Sequence, residues 1–294
     1  MFLGGTFAVV VGVLVEEVGV RAAGPYQTTH KSFKYDALDI SNRHIDTVAP
    51  VAPNGSVFPL IAFAHGLDDS EFDVYSALFE DLASWGYVVA APLACKYGCL
   101  GDCKIELGDP PCFGHYYKQQ LKTIEWTRTA AAASLPINTS AGVGVAGHSM
   151  GGQASLFSAA YNASGYNIRA VSLLHAFTHK YPRLSVPFLV FTGTEDDVAS
   201  PSMAQSIFDR AQTGGGAPSA RGFVNKVGAN HHEPSTEYNP KLGLYTVAWF
   251  KLHLDGLTAS QGQDWDALVY GNGSTSLCGG GDGAMKACEL HRGA

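Results

Sequence analysis

The chain has 294 residues, of which 46% are hydrophobic and 15% charged, with a formal net charge of −7. Such a length and composition can bury a substantial core in one domain. The acidic balance and the lack of any basic run exclude nucleic acid and anionic surfaces as expected partners.

Met1 to Val15 is apolar but too short to span a bilayer, and Arg21-Ala22-Ala23-Gly24 offers small residues suited to cleavage. This predicts a secretory signal over residues 1–23 and a secreted, extracellular protein with no stable membrane span. The competing reading is a buried first strand, because no basic residue precedes the apolar run and Glu16-Glu17 follows it. The sequons at Asn54, Asn138, Asn162 and Asn272 lie in turn-like sequence and agree weakly with secretion.

Residues 59–64 and 87–91 are short continuous apolar runs, as expected of strands buried on both faces, and Val74 to Trp85 has helical spacing between them. Next comes a Cys-rich insertion around 94–117, long for a connection. The six cysteines, 95, 99, 103, 112, 278 and 288, form an even set that fits three disulfides. Cys278 and Cys288 could close a small C-terminal loop, while the other four allow three pairings. Zinc is the competing reading, since 95, 99 and 103 are spaced by four, but no Cys-x-x-Cys pair is present and no metal is expected.

The small apolar run Gly142 to Ala146 leads into Gly147-His148-Ser149-Met150-Gly151-Gly152, and a helical pattern runs on from Gln153 to Ala160. Strand, sharp turn and helix around one serine make a nucleophile elbow, with Ser149 as the nucleophile. Further apolar strands are read at 170–174, 188–191 and 222–227, with a closing helix from Leu242 to Leu254 and a Gly-rich tail read as loop. The alternation predicts an α/β-hydrolase fold, a mainly parallel central sheet with helices on both faces, over residues 24–294. His175 to Val186 leaves no room for a large lid, so the crevice above Ser149 is expected to admit bulky or polymeric substrates.

In this fold the acid and then the base follow the serine along the chain. Glu195, Asp196 and Asp197 occupy the turn after the 188–191 strand, and His231 and His232 occupy the loop after the 222–227 strand. Residue chemistry leaves the choice within each group open. The oxyanion hole is expected from the backbone N–H groups of Met150 and of Leu67, in Ala64-His65-Gly66-Leu67-Asp68. His44, His115, His175, His179, His253 and His291 read as surface or packed histidines.

With these residues in hand, the chain resembles the bacterial cutinase and poly(ethylene terephthalate) hydrolase branch and, more distantly, chlorophyllases and platelet-activating-factor acetylhydrolases. The likeness runs from about Pro59 to Phe250 and is carried by the elbow, by 82–89, by Val186-Pro187-Phe188-Leu189-Val190 leading to Asp196, and by Gly228-Ala229-Asn230-His231-His232-Glu233-Pro234. It implies Asp196 as the acid and His231 as the base, with Asp197 and His232 as runners-up. It also implies a substrate cleft touched by His65, His175 and Phe177. Where the family often has an aromatic clamp, this chain has Leu67 and His175, and the Cys-rich insertion is foreign to the compact bacterial enzymes. A paired Cys278 and Cys288 is similar to the terminal disulfide of that branch. The expectation is a monomeric serine esterase needing no cofactor and acting on polymeric or amphipathic esters. Cleavage of smaller amphipathic esters, as by chlorophyllase or acetylhydrolase, is second, and a non-catalytic binding protein of the same fold is the third reading.

Overall fold

The computed structural model describes residues 24–36, 38, 44–51, 53, 55–96, 115–212 and 218–292. The expected signal at 1–23, most of the Cys-rich insertion and the Thr213–Ala217 loop lie outside the described residues. Nine strands form one sheet in the spatial order β1-β2-β4-β3-β5-β6-β7-β8-β11. Their bounds are β1 Thr28–Lys34, β2 His44–Pro50, β3 Leu60–Ala64, β4 Val88–Pro92, β5 Val143–His148, β6 Ile168–Leu174, β7 Phe188–Gly193, β8 Ala220–Lys226 and β11 Met285–Arg292. From β4 through β8 every pairing is parallel. Antiparallel strands close both ends, β2 and β1 at one and β11 at the other.

Alternation along the central strands divides the core into two layers. In β3, Leu60, Ala62 and Ala64 face one side, and Ile61 and Phe63 the other. The first side is covered by α2 (Tyr117–Thr129), α3 (Met150–Tyr166) and α4 (Pro201–Gln212), the second by α1 (Phe72–Ser84), α5 (Pro240–His253) and α6 (Trp265–Tyr270). Strands covered on both faces must be apolar at successive positions, which is why β3 to β7 stood out as runs. This is the α/β-hydrolase architecture. Residues 175–187, between β6 and β7, form neither helix nor strand. A small ribbon of β9 (Ala259–Ser260) and β10 (Gln263–Asp264) precedes α6. No helix among the described residues is long and apolar enough to cross a membrane.

The outer elements left fainter traces in the sequence. β1, Thr-Thr-His-Lys-Ser-Phe-Lys, is an edge strand that is half or fully exposed along its length. α2 buries Gln119, Gln120, Thr123 and Thr127 beside Leu121, Ile124 and Trp126, so polar residues interrupt its apolar stripe. They are satisfied internally: Gln120 Nε2 donates to the carbonyls of Ala62 (2.9 Å) and Ala146 (3.2 Å) and to Ser155 Oγ (2.9 Å). The tail expected as loop contains α6, a π-helical turn at Leu277–Gly281 and β11. Asp264 caps α6 by accepting from the Ala267 amide.

Cys278 and Cys288 are joined, tying the π-helical turn to β11. Cys95 is disulfide-bonded as well, and Cys99, Cys103 and Cys112 lie outside the described residues. Replacing both Cys278 and Cys288 by alanine is expected to cost about 3 kcal/mol. That corresponds to a Tm lower by about 6–10 °C in calorimetry; an unchanged Tm would show that β11 stays paired to β8 without the bridge.

Candidate active site

Ser149 is the pivot between β5 and α3, at φ 53° and ψ −118°. A non-glycine residue held there carries about 1–3 kcal/mol of strain, which persists only where the surroundings over-determine it. Two close approaches do so. A Cβ on Gly147 would lie 2.1 Å from the Gly151 carbonyl oxygen, and one on Gly151 would lie 1.9 Å from that of Ala64. The backbone is pinned from the next strand as well: Ser149 N–H donates to the Leu174 carbonyl (3.1 Å), and its carbonyl accepts from Phe177 N–H (3.0 Å).

Of the three acids after β7, only Asp196 is turned inward; Glu195 and Asp197 are exposed. Its Oδ1 accepts from the amides of Val198 (3.1 Å) and Ala199 (2.7 Å), which fixes the turn. The carboxylate receives His231 Nδ1–H at 3.0 and 3.1 Å. Of the two histidines after β8, His231 is buried and His232 exposed. The two loops are laced together, Thr194 N–H to the Lys226 carbonyl, Glu195 N–H to that of Ala229, and Gly228 N–H to Thr194 Oγ1. With Nδ1 donating to Asp196, His231 Nε2 is the basic nitrogen.

Ser149 Oγ and the His231 ring make no hydrogen bond to each other among the described residues; the elbow and the loop after β8 are joined instead through His148. His148 Nε2–H donates to the His231 carbonyl at 2.8 Å, and the two ring centroids are 4.8 Å apart. His148 Nδ1 accepts from Tyr75 OH at 2.8 Å, and that hydroxyl oxygen accepts from Gly66 N–H at 2.9 Å. One polar strut thus joins the loop after β3, the elbow and the loop after β8. Burial, with the neighbouring histidines, holds His148 well below its ordinary pKa and therefore neutral, as this bonding pattern requires.

Of the five successive amides from His65 to Asp69 along the loop after β3, four are spoken for. His65 N–H donates to Tyr116 OH, Gly66 N–H to Tyr75 OH, Asp68 N–H to the Lys96 carbonyl and Asp69 N–H to that of Gly66. Leu67 N–H has no protein acceptor among the described residues. Met150 N–H opens α3, where helical amides have no intrahelical acceptor. Phe177 is half-buried beside the elbow.

The other two residues expected at the substrate are elsewhere. His65 is 2% exposed, its ring nitrogens turned to the carbonyls of Gly66 (2.7 Å) and Ala94 (2.9 Å), so it braces the loop from behind. His175, at 0% exposure, sits beneath the acid: Nδ1 lies 2.8 Å from Asp196 Oδ2 and Nε2 3.1 Å from Glu233 Oε2. A ring so enclosed cannot clamp a substrate. This pairing joins residues 58 positions apart and leaves no local pattern in the sequence. Tyr75 is read from sequence only as one apolar position of a helix.

Burial alone would raise Asp196, but hydrogen bonds from His175 and His231 outweigh it and hold the carboxyl far below the usual range. Burial likewise opposes ionisation of Glu233, and hydrogen bonds from His175 and Lys226 hold it below its ordinary value. The donor atoms of His175, Asp196 and His231 lie within 4.8 Å of one another, close enough to suit a metal ion. Each Nδ1 also lies within hydrogen-bond distance of the Asp196 carboxylate, 2.8 Å for His175 and 3.0 Å for His231, so the three side chains partner one another. The arrangement sets a buried His231–Asp196 pair, able to hold and release a proton, on the loop that His148 ties to the strained serine's turn.

A family model described as PET hydrolase-like matches residues 80–262, which contain Ser149, Asp196 and His231. A second, described as platelet-activating factor acetylhydrolase, isoform II, matches residues 34–93, which contain the loop after β3. No curated protein matches the chain.

Two measurements probe this architecture. Tyr75→Phe leaves a buried amide and a buried imidazole nitrogen without partners, and is expected to cost about 2–4 kcal/mol of stability in denaturant unfolding. Stability equal to the parent's would mean that the strut is idle. Asp196 and Glu233 are depressed in the folded state, so the unfolded chain binds more protons as acid is added. Their contribution is complete above the ordinary carboxylate range and is lost as pH falls through the folded values. Tm is therefore expected to decline below about pH 4.5, and less steeply in Glu233→Gln; equal slopes would contradict this assignment.

Proposed function

Because the chain belongs to the PET hydrolase-like family, and is thus a carboxylic ester hydrolase of the α/β type, we propose that it works by a Ser149–His231–Asp196 triad. His231 Nε2 takes the Ser149 Oγ proton as the oxygen attacks the ester carbonyl carbon. The oxyanion is received by the N–H groups of Leu67 and Met150. The intermediate collapses to an acyl-enzyme, and His231 hands its proton to the departing alcohol. Water, deprotonated by the same ring, then attacks the acyl carbon and releases acid and free serine. Asp196 orients the ring and stabilises its cation. The observation that carries this reading is the buried His231 Nδ1–Asp196 pair on the loop that His148 ties to the elbow.

The substrate we favour is a polyester or cutin-like ester. The absence of helix or strand in 175–187 supports a cleft without a large cover, and exposed Leu67 and half-buried Phe177 offer apolar surface beside it. Small amphipathic esters are the second reading, favoured by the acetylhydrolase match over the loop that contains Leu67 and by the lack of an aromatic clamp at 175. The Cys278–Cys288 bridge supports work in an oxidising, extracellular compartment after removal of residues 1–23.

Ser149→Ala is expected to abolish hydrolysis of a short p-nitrophenyl ester while leaving Tm near that of the parent. Asp196→Asn is expected to lower kcat by about 10⁴-fold through the wrong imidazole tautomer. A folded Ser149→Ala protein with full activity would falsify the triad, and a wild type inert on such esters would favour a binding role. Soluble products from polyester film, set against phytol from chlorophyll and acetate from short-chain lipid esters, separate the substrate readings.

A further inference from the structure

His175 stands outside the mechanism just described, yet it is the most constrained histidine near it. It leaves β6 at φ 47°, a left-handed conformation that a β-carbon disfavours, and its amide is held by the Phe191 carbonyl at 2.9 Å. The side chain is fully buried, and each ring nitrogen faces a carboxylate oxygen. A neutral imidazole has one N–H, so its second nitrogen would turn a lone pair toward a carboxylate. That conflict disappears only if the ring carries two protons or one carboxyl carries its own. Neither carboxyl is placed to keep a proton. Asp196 already receives His231 and two backbone amides. Glu233 Oε1 receives Lys226 Nζ at 2.7 Å and Asn239 Nδ2 at 2.8 Å.

The charges around the ring follow the same logic. Asp196 reaches it from the loop after β7, and Glu233 and His231 from the loop after β8. His148 faces it from β5 and is neutral. Behind Glu233, Lys226 and Asn239 both hold Asp282. Half-buried Asp69, whose Oδ2 lies 4.0 Å from His148 Nδ1, is within electrostatic reach of His231 and His232. With His175 as a cation, Asp196, Glu233 and Asp282 face two positive charges, His175 and Lys226. One net negative charge then remains among these five groups, and Asp69 adds another within reach of His231. With His175 neutral, the surplus of the five doubles.

We propose that His175 is a positioning residue, held as an imidazolium between Asp196 and Glu233, which through the shared Asp196 carboxylate orients His231 and sets the pH below which the base is lost. Burial opposes the cation, but the hydrogen bonds to Asp196 and Glu233 outweigh it and raise the ring above its ordinary value. The inference rests on the triad reading above. Asp196 has two histidine partners here, one from each side. The ring centroids of His175 and His231 are 6.3 Å apart and nearly perpendicular, so charge at 175 acts on 231 at short range.

The test has two arms. In protein labelled with ¹⁵N-histidine, one buried ring is expected to stay doubly protonated at pH 8 and to vanish from the spectrum of His175→Gln. In His175→Gln, the acid limb of the kcat/KM profile for p-nitrophenyl acetate is expected to move up by about one to two pH units, the effect of one lost charge at such a distance. A merely structural role would lower the whole profile without displacing the limb. Ser149→Ala is assayed alongside. If it keeps wild-type activity, the triad reading falls; if it is inactive while the His175→Gln limb stays in place, this proposal alone falls. Should His175→Gln fail to fold, the wild-type spectrum decides, since a neutral ring at 175 at pH 8 overturns the proposal.

Discussion

A carboxylate with no solvent exposure is the interaction on which the site depends. Moving an unpaired charge of that kind from water to the interior costs several kcal/mol, and Asp196 is accommodated because two backbone amides and two imidazoles converge on it. Those four donors come from three loops at the C-terminal edge of one parallel sheet. They can converge only if β6, β7 and β8 end in register, as the parallel pairings make them do. The sheet is therefore the template for the charge, and the charge in turn cross-links the loops.

The elbow poses a second constraint, geometric instead of electrostatic. A serine in the left-handed region is held by glycines that permit backbone to touch backbone and by bonds from the adjoining strand. His148, inside the same turn, converts this rigidity into alignment. Its two nitrogens reach the loop after β8 on one side and Tyr75 with Gly66 on the other. Small shifts of the loops after β3 and β8 are thereby coupled through one neutral ring.

What the sequence made legible, and what it hid, divides along physical lines. The strands from β3 to β8 are covered on both faces, so they read as apolar runs, and the elbow is a local motif whose glycines follow from steric contact. Selecting Asp196 from three acids and His231 from two histidines required the likeness to known hydrolases, because each loop offers chemically equivalent neighbours. Burial separates those neighbours, and burial depends on the whole fold. β1 and α2 were hidden because one is exposed and the other buries glutamine and threonine. The expectation that His175 lines the cleft mistook position in the chain for direction of the side chain: a ring two residues from Phe177 points beneath the acid and not above the serine. Its partner Glu233 was in view within the quoted loop, but nothing in a linear string says that a carboxylate at 233 meets an imidazole at 175.

The last stretch of chain reaches further inward than its glycine-rich composition suggests. Asp282, next to the π-helical turn, accepts from Lys226 and Asn239, the same two residues that hold Glu233. β11 lies along β8, whose end leads into the loop that carries His231 and Glu233. The carboxyl-terminal segment is in this sense an outlying support of the buried carboxylates: a chain that differed after residue 270 would hold Glu233 differently while the loops around Asp196 and His231 kept their sequence.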